Sequence, residues 1–281
     1  MPVKGIVYLQ MARLWPFYFM FFLSLQFVLP RMFRLCISKD STNWKWLHGT
    51  TKSGSPAAEY LSYLLISGSI VLFCSLLAVE HWSDLQTLSM HDRLYSTVPE
   101  AQLLAAVSLA YQLYNFVVCF TLPNDCGQLE QKFHHATTAL LSYFVMHPYA
   151  HYYAFFFVGV AELTNVPLTL VDACKAFPGL RTMIPTLNAC TRIVFALSFF
   201  AIRLFWWPYI SYQFWLQSIE LLQNNTAHNN YVVFIFLVSN VSVFLCVACF
   251  VVDVGGYCGS LNIVCDEMAL IIVFFSCNRY W

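Results

Sequence analysis

The sequence predicts an all-α, polytopic membrane protein, a bundle of about seven transmembrane helices. Of its 281 residues 59% are hydrophobic and only 10% are charged, against about 25% charged residues in an ordinary soluble domain. Runs such as 60–79 and 231–252 have about the 20 apolar residues that a helix needs to cross a bilayer. These runs are continuously apolar and do not alternate with polar residues, which favours helices over the strands of a barrel.

The predicted spans follow one another along the chain with polar loops between them. The first span is ended by Pro30, lacks a small-residue cleavage site and is interpreted as a retained span or signal anchor. The turn at 123–127 precedes the fourth span. The apolar stretch 261–275, which contains Asp266 and Glu267, is interpreted as a re-entrant or interfacial segment or as an alternative tail. The seven predicted spans cover residues 14–29, 60–79, 101–122, 131–146, 149–170, 185–207 and 231–252.

The basic residues predict the orientation of the chain. Nine of the 14 Lys and Arg residues fall in the loops after spans one, three and five and in the C-terminal tail, counting Lys132 at the very start of span four with the loop before it, and Lys and Arg accumulate on the cytosolic side of a membrane. The N-terminus is therefore predicted to be lumenal and the C-terminus cytosolic. Asn224, in an Asn-Asn-Thr sequon in the loop after span six, agrees with this prediction as a lumenal glycosylation site.

Charge and cysteine content exclude some classes of partner. A formal net charge of zero, without a basic tract, argues against a nucleic-acid partner. Five of the 11 cysteines lie within the predicted spans, where they are interpreted as small buried apolar residues rather than as a disulfide framework. No metal site is expected, because one ion needs three or four converging ligands and adjacent histidines are poor partners on it.

A histidine pair opens the fourth span and is the first candidate site. The spacing of His134 and His135 to Thr138 and Ser142 follows the helical repeats of three and four, which places these side chains on one side of the helix. Adjacent side chains on a helix cannot both face one packing partner, so one histidine is expected to point inward while the other supports it. The pair is a candidate general base, acyl acceptor or ligand of a lipid head group.

Polar residues on other spans extend this candidate site. Glu162 and Asn165 lie on span five and Arg192 and Arg203 on span six, and span three carries Gln112 and Asn115, with each set at helical spacing. Ionisable side chains at membrane depth are costly, so these four stripes predict an interior polar cavity that binds lipid or substrate. The alternative is structural: polar stripes also hold helices together, and Glu162 paired with an arginine would serve that purpose.

Four segments in succession resemble the TLC-domain family. They are KFHH at 132–135, ELTNVPL at 162–168, RIVFALSFF at 192–200 and RLFWWPY at 203–209. The family includes translocating-chain-associating membrane proteins, Lag-type ceramide synthases and the neuronal ceroid lipofuscinosis protein of the endoplasmic reticulum. The order and spacing are most similar to its TLC-domain-containing branch. The resemblance covers about residues 55–255, leaving 1–54 as a first anchor with a basic cytosolic loop and 256–281 as a tail.

The resemblance implies a helical bundle around a lipid-sized cavity. In ceramide synthases the histidine pair belongs to the acyl-transfer centre, and His134 and His135 would be its counterparts here. The chain departs from that pattern, since Glu162-Leu163-Thr164-Asn165 stands where the synthases carry an aspartate pair. The TLC-domain-containing branch is associated with membrane lipid composition, without a settled reaction.

Three functions follow as hypotheses. The favoured one is binding of a membrane lipid or acyl chain, with a role in lipid metabolism and homeostasis and no cofactor. The second is an N-acyltransferase that uses acyl-CoA as co-substrate and a long-chain amine, and the third is a trafficking or chaperone-like adaptor of the endoplasmic reticulum and Golgi. The endoplasmic reticulum is the predicted location, with the plasma membrane as the alternative, and a homo-oligomer is left open.

Overall fold

Helices make up the regular secondary structure of the chain in the computed structural model, which describes residues 3–37, 44–82, 90–147 and 149–240. The all-α fold class is therefore confirmed over these ranges. The helices are α1 (Val3–Ala12), α2 (Trp15–Cys36), α3 (Ala57–Trp82), α4 (Met90–Tyr95), α5 (Pro99–Thr121), α6 (Pro123–Cys126), α7 (Leu129–Val145), α8 (His151–Ala154), α9 (Asn165–Ala176), α10 (Pro178–Met183), α11 (Pro185–Phe199), α12 (Trp207–Gln223) and α13 (Asn230–Asn240), with a 3-10 helix at Lys45–His48.

Within the described residues, five helical stretches are long and apolar enough to cross a membrane. Two of them are not uniform α-helices. A π-helix at Phe155–Gly159 and a 3-10 helix at Val160–Thr164 separate α8 from α9, and a π-helix at Phe200–Trp206 joins α11 to α12. The five stretches are Trp15–Cys36, Ala57–Trp82, Pro99–Thr121, His151–Ala176 and Pro185–Gln223.

The two remaining predicted spans correspond to shorter helices. The histidine helix α7 has 17 residues, a length of about 26 Å, which is slightly less than the roughly 30 Å of a hydrocarbon core. The seventh predicted span begins with α13, and its remainder after Asn240 lies outside the described residues, as do the predicted tail 256–281 and the apolar stretch 261–275.

Two predicted span ends are wrong, and both involve proline. Helix α2 continues through Pro30 to Cys36, although a proline removes one backbone donor; membrane helices tolerate this where neighbouring helices cover the freed groups, and Pro30 is buried. The sixth predicted span does not end at Trp207 but continues to Gln223. Pro208 lies in the first turn of α12, directly after the π-helix, where a missing N–H is tolerated.

Contacts between residues divide the chain into two compact units, residues 1–195 and 196–281. The first unit contains the histidine helix α7 and the segment with Glu162. Its centre is α5, which packs against α1, α2, α3 and α7. Most of the side chains of α5 are buried, so a polar residue on this helix needs a partner inside the protein.

One end of the first unit joins the loops that follow the first, third and fifth predicted spans. The Thr51 hydroxyl donates a 2.8 Å hydrogen bond to the Asp125 carboxylate, and the rings of Trp46 and Phe177 lie 4.5 Å apart between centroids. The backbone N–H of Lys52 donates to the carbonyl of Ala176, which ends α9, at 3.2 Å.

The loops after the second and fourth predicted spans meet at the other end. The His151 Nδ1 accepts a 2.9 Å hydrogen bond from the backbone N–H of Val98, and its Nε2 lies 2.9 Å from the carbonyl of Val145. The backbone N–H of Ala150 donates to the carbonyl of Leu94 at 2.6 Å. Helix α7 begins near the first set of loops and ends in the second, so it runs the length of the unit despite its 17 residues.

Candidate functional site

The candidate site begins with a polar contact between α5 and α7. His135 lies on α7, and its Nδ1 is 2.7 Å from the side-chain oxygen of Gln112 on α5. Two turns further along α7, the hydroxyl of Ser142 is 2.9 Å from that of Ser108. Gln112 and Ser142 are 5% and 0% exposed. We name these four residues, Ser108, Gln112, His135 and Ser142, the histidine seam.

The two histidines point in different directions. His135 is half-buried against α5, whereas His134 is exposed, and their rings make an edge-to-face contact with centroids 5.3 Å apart. Thr138 is half-buried one turn further along. The structure therefore places one histidine between helices and the other on the outer side of α7.

The hydrogen bond with Gln112 determines the tautomer of His135. An amide oxygen only accepts hydrogen bonds, so the Nδ1 of His135 carries the proton and donates it. The Nε2 of the same neutral ring then keeps its lone pair and is available as an acceptor or base. Gln112 thus fixes the orientation of the ring as well as its protonation.

Glu162 and Asn165 lie in the irregular part of the fourth long stretch. Glu162 belongs to the 3-10 helix and Asn165 begins α9, and the Asn165 amide donates a 2.6 Å hydrogen bond to the Glu162 carboxylate. The charge of Glu162 acts on Cys74 of α3 and on Tyr111 of α5. This pair therefore lies near the face of α5 on which Tyr111 is located.

The histidines and Glu162 thus approach α5 from different directions. Gln112 is the hydrogen-bond partner of His135, and the charge of Glu162 acts on Tyr111. Tyr111 and Gln112 are adjacent in sequence, so their side chains lie about 100° apart around α5. The sequence predicts one interior polar cavity to which these spans contribute. Among the described contacts, His135 and Glu162 adjoin two different faces of α5.

A glycine brings the Glu162 segment close to α3. A Cβ on Gly159 would lie 2.1 Å from the Cβ of Ala78 and 3.2 Å from the carbonyl of Cys74, so only glycine allows this approach. The hydroxyl of Ser75 donates a 3.2 Å hydrogen bond to the Gly159 carbonyl. Non-helical backbone at membrane depth needs such partners from the protein, and π-helical turns are frequent at functional sites.

The two predicted arginines lie in different surroundings. The Nε of Arg192, in the first unit, donates a 3.2 Å hydrogen bond to the side-chain oxygen of Asn188, and the charges of Arg181 and Asp172 act on it. Arg203 belongs to the second unit, where its guanidinium lies 5.0 Å from the centroid of the Trp207 ring. Arg203 belongs to the π-helix that precedes α12.

The predicted glycosylation site lies after α12. Asn224 is exposed and follows Gln223, the last residue of that helix. Thr226, the third residue of the sequon, donates its backbone N–H to the carbonyl of Leu221 at 3.1 Å. The position is accessible, and its modification stays a prediction.

His151 has a structural role that its sequence position did not indicate. It is 0% exposed, and both ring nitrogens have partners: Val98 before α5, Val145 at the end of α7 and His147 just after it. It therefore joins three chain segments. A sequence signal that could have found this role is the proline at 148, because proline is common in turns and a turn after the fourth predicted span would return the chain toward the end of that span.

Comparison with known proteins identifies the family. The family model described as the TLC domain matches residues 57–254, more than two thirds of the chain. No curated protein and no solved structure matches the chain significantly. The matched region contains the histidine helix, the Glu162 segment and both arginines. The chain is thus a multi-pass membrane protein that belongs to the TLC-domain family.

Proposed function

We propose that this protein binds a membrane lipid or acyl chain among the helices of its first unit and thereby influences the lipid composition of its membrane. The observation that supports the proposal is the break in the helix at the half-buried, hydrogen-bonded Glu162–Asn165 pair. Polar groups at membrane depth that are not needed to hold a regular helix together favour a role with a ligand. The endoplasmic reticulum is the proposed compartment, on the family resemblance alone.

The lipid that copurifies with the protein tests this function. We would purify the wild type and the Glu162→Leu, Asn165→Leu double variant in a mild detergent, and quantify the bound lipid classes by mass spectrometry against the source membrane. We expect one lipid class to be enriched on the wild type and not on the double variant. Bound lipid with the composition of the source membrane on both proteins would contradict the proposal.

An N-acyltransferase that uses acyl-CoA and a long-chain amine is the second candidate, and it rests on His135. The hydrogen bond from its Nδ1 to Gln112 orients the ring and leaves Nε2 as a base, and a base of this kind takes the proton from an amine nucleophile during acyl transfer. Turnover of acyl-CoA with sphingoid bases should then occur in the wild type and disappear in the His134→Ala, His135→Ala double variant. Lack of turnover in the wild type would eliminate this candidate.

A further inference from the structure

Three cationic side chains from three successive helices lie together at the end of the first unit that is predicted to be cytosolic. Lys175 lies in the last turn of α9, Arg181 in the short helix α10, and Arg192 two turns into α11. The charge of Arg192 acts on Lys175, and the charge of Arg181 acts on Arg192. The three groups are therefore close enough to repel one another.

The side chain of Arg192 is directed toward the loop between α9 and α11. Its Nε donates a 3.2 Å hydrogen bond to the side-chain oxygen of Asn188, which lies one turn nearer the start of α11 at Pro185. Asn188 is buried, whereas Arg192 is half-buried. A long charged side chain within a membrane helix extends toward the membrane surface in this way, so the guanidinium of Arg192 lies on the same side as Arg181.

Packing against the loop after the first predicted span fixes the turn that carries these cations. A Cβ on Gly179 of α10 would lie 2.9 Å from the ring of Trp46, and the centroid of the same ring is 4.5 Å from that of Phe177, which lies between α9 and α10. The backbone N–H of Lys52 donates to the carbonyl of Ala176 at 3.2 Å. The turn is thus held on two sides, and the repulsion among the cations remains in the folded protein.

Asp172 is the carboxylate that acts on this group of cations. Its oxygen lies 3.8 Å from the Nζ of Lys175, one turn further along α9, and its charge also acts on Arg192. These four groups together carry a surplus of two positive charges. Like charges held close together destabilise the fold unless an anion balances them, and this surplus therefore favours an anionic ligand.

We propose that Lys175, Arg181 and Arg192 bind a phosphate monoester at this end of the bundle, and we name these three side chains the phosphate site. The inference goes beyond the proposed lipid binding at the Glu162–Asn165 pair and does not depend on it. Asn165, at the start of α9, lies about 15 Å from Lys175 along that helix.

Charge and donor geometry favour a phosphate monoester over other anions. A monoester carries about 1.5 to 2 negative charges near pH 7, which matches the surplus of the phosphate site, whereas a carboxylate or a phosphodiester carries a single charge. Arginine binds phosphate oxygens through two parallel N–H groups, and lysine binds them as a point charge. Phosphatidic acid presents such a group from the membrane, and the 3′-phosphate of coenzyme A presents one from the cytosol.

Two binding measurements on the full chain in a mild detergent test the proposal. In the first, the protein is titrated with phosphatidic acid or with the phosphodiester phosphatidylglycerol, and native mass spectrometry counts the bound lipids. In the second, calorimetry compares coenzyme A with 3′-dephospho-coenzyme A. We expect at least one monoester to bind about tenfold more tightly than its matched control, the difference for one charge-assisted hydrogen bond. A preference in the first measurement assigns the lipid source, and a preference in the second assigns the soluble one.

Three variants locate the binding. Arg181→Gln should weaken the preferred monoester about tenfold, and it should fold because Arg181 is exposed. Asp172→Asn should instead tighten binding, since it removes the carboxylate that competes for Lys175, and a misfolded protein cannot produce such a gain. Arg31→Gln is the matched control, because Arg31 is an exposed arginine of α2 on the same predicted side of the membrane.

Three results would overturn the inference. Equal binding of the monoesters and their controls in both measurements would reject the phosphate monoester as the ligand. Equal losses in Arg181→Gln and Arg31→Gln would show a general attraction of anions to a positive surface. Weaker binding by Asp172→Asn would contradict the charge balance on which the site depends.

A further variant separates this inference from the proposed function. The Glu162→Leu, Asn165→Leu double variant should bind the preferred monoester as tightly as the wild type, whether or not it loses the enriched lipid class. A loss of monoester binding in this variant as large as that in Arg181→Gln would contradict a separate phosphate site.

Discussion

The two polar faces of α5 differ in the neighbour that each one meets. In the histidine seam, Gln112 meets His135 at 2.7 Å and Ser108 meets Ser142 at 2.9 Å, so this face joins α7. On the other face, the Tyr111 hydroxyl lies beside Asn115 of the same helix and Ser67 of α3, and the charge of Glu162 acts on it. The same helix thus presents one polar face to a regular helix and another to the region of the broken helix.

This difference teaches how to separate helix packing from ligand binding in a membrane bundle. Interhelical hydrogen bonds in membranes contribute about 0.6 kcal/mol on average, and the two contacts of the seam join α5 to α7 in this way. Non-helical backbone such as that around Glu162 needs partners from the protein at membrane depth. The seam therefore explains how α5 and α7 adhere, and the face beside the broken helix is the better candidate for recognition.

The largest expected effect concerns the close backbone contact between α3 and the broken helix at Gly159. Gly159→Ala would place a Cβ 2.1 Å from that of Ala78, so α3 and the broken helix must separate. We expect a loss of about 3 kcal/mol in the free energy of unfolding, because the core is overpacked. Unfolding in mixed micelles with increasing SDS measures it. Gly49→Ala is the control, since its nearest atom lies at 3.4 Å; an equal loss in both variants would contradict this account.

The next effect concerns the seam. Gln112→Leu leaves the Nδ1–H of His135 unpaired between α5 and α7, and we expect it to destabilise the protein by about 1–3 kcal/mol. In the double variant Gln112→Leu, His135→Phe, both polar partners are replaced by apolar groups, which should recover most of the loss in the same unfolding assay. A double variant less stable than Gln112→Leu alone would show that the hydrogen bond is not what matters.

A smaller effect is expected at the second contact of the seam. Ser108 and Ser142 are each fully or nearly buried and bonded to each other. A double-mutant cycle of Ser108→Ala and Ser142→Ala should give a coupling energy of about 0.6 kcal/mol, the average for interhelical hydrogen bonds in a membrane. Strictly additive losses would mean that the two hydroxyls do not interact.

The smallest effect concerns the thiol of Cys126, which lies near the start of α3. Cys126, outside the membrane-spanning stretches, is 4% exposed and lies beside the Tyr63 hydroxyl. Burial raises the pKa of the Cys126 thiol, so little reactive thiolate forms as the pH rises from 7 to 9. Maleimide should label it more slowly than the exposed Cys36 throughout this range. Equal rates in intact protein would show that this end of α3 is open.

The sequence predicted the elements well but not their pairing. Apolar runs located the helices because crossing a bilayer requires a run of fixed length, and helical spacing identified His135 and Glu162 as polar groups inside the bundle. Which neighbour each of them contacts depends on how the helices rotate against one another. A spacing pattern within one helix carries no information about that rotation, so Gln112 was not recognised as the partner of His135.

Helix ends and local breaks were also beyond the sequence. Pro30 and Pro208 lie within longer helical stretches. Pro30 is buried, so neighbouring helices cover the backbone groups that its missing N–H leaves unbonded, and Pro208 lies in the first turn of α12, where a missing N–H is tolerated. Gly159 reads as an ordinary small residue in a span, and only the 2.1 Å approach of Ala78 shows why it is required. Ser67 carried no signal, since a single serine in an apolar run usually bonds its own backbone.

One measurement tests most directly the claim that the two faces of α5 serve different purposes. It is the enrichment, relative to the source membrane, of the lipid class that copurifies with the wild type, with Gln112→Leu and with the Glu162→Leu, Asn165→Leu double variant. We predict enrichment on the wild type and on Gln112→Leu, but not on the double variant. Equal enrichment on all three proteins would contradict the account.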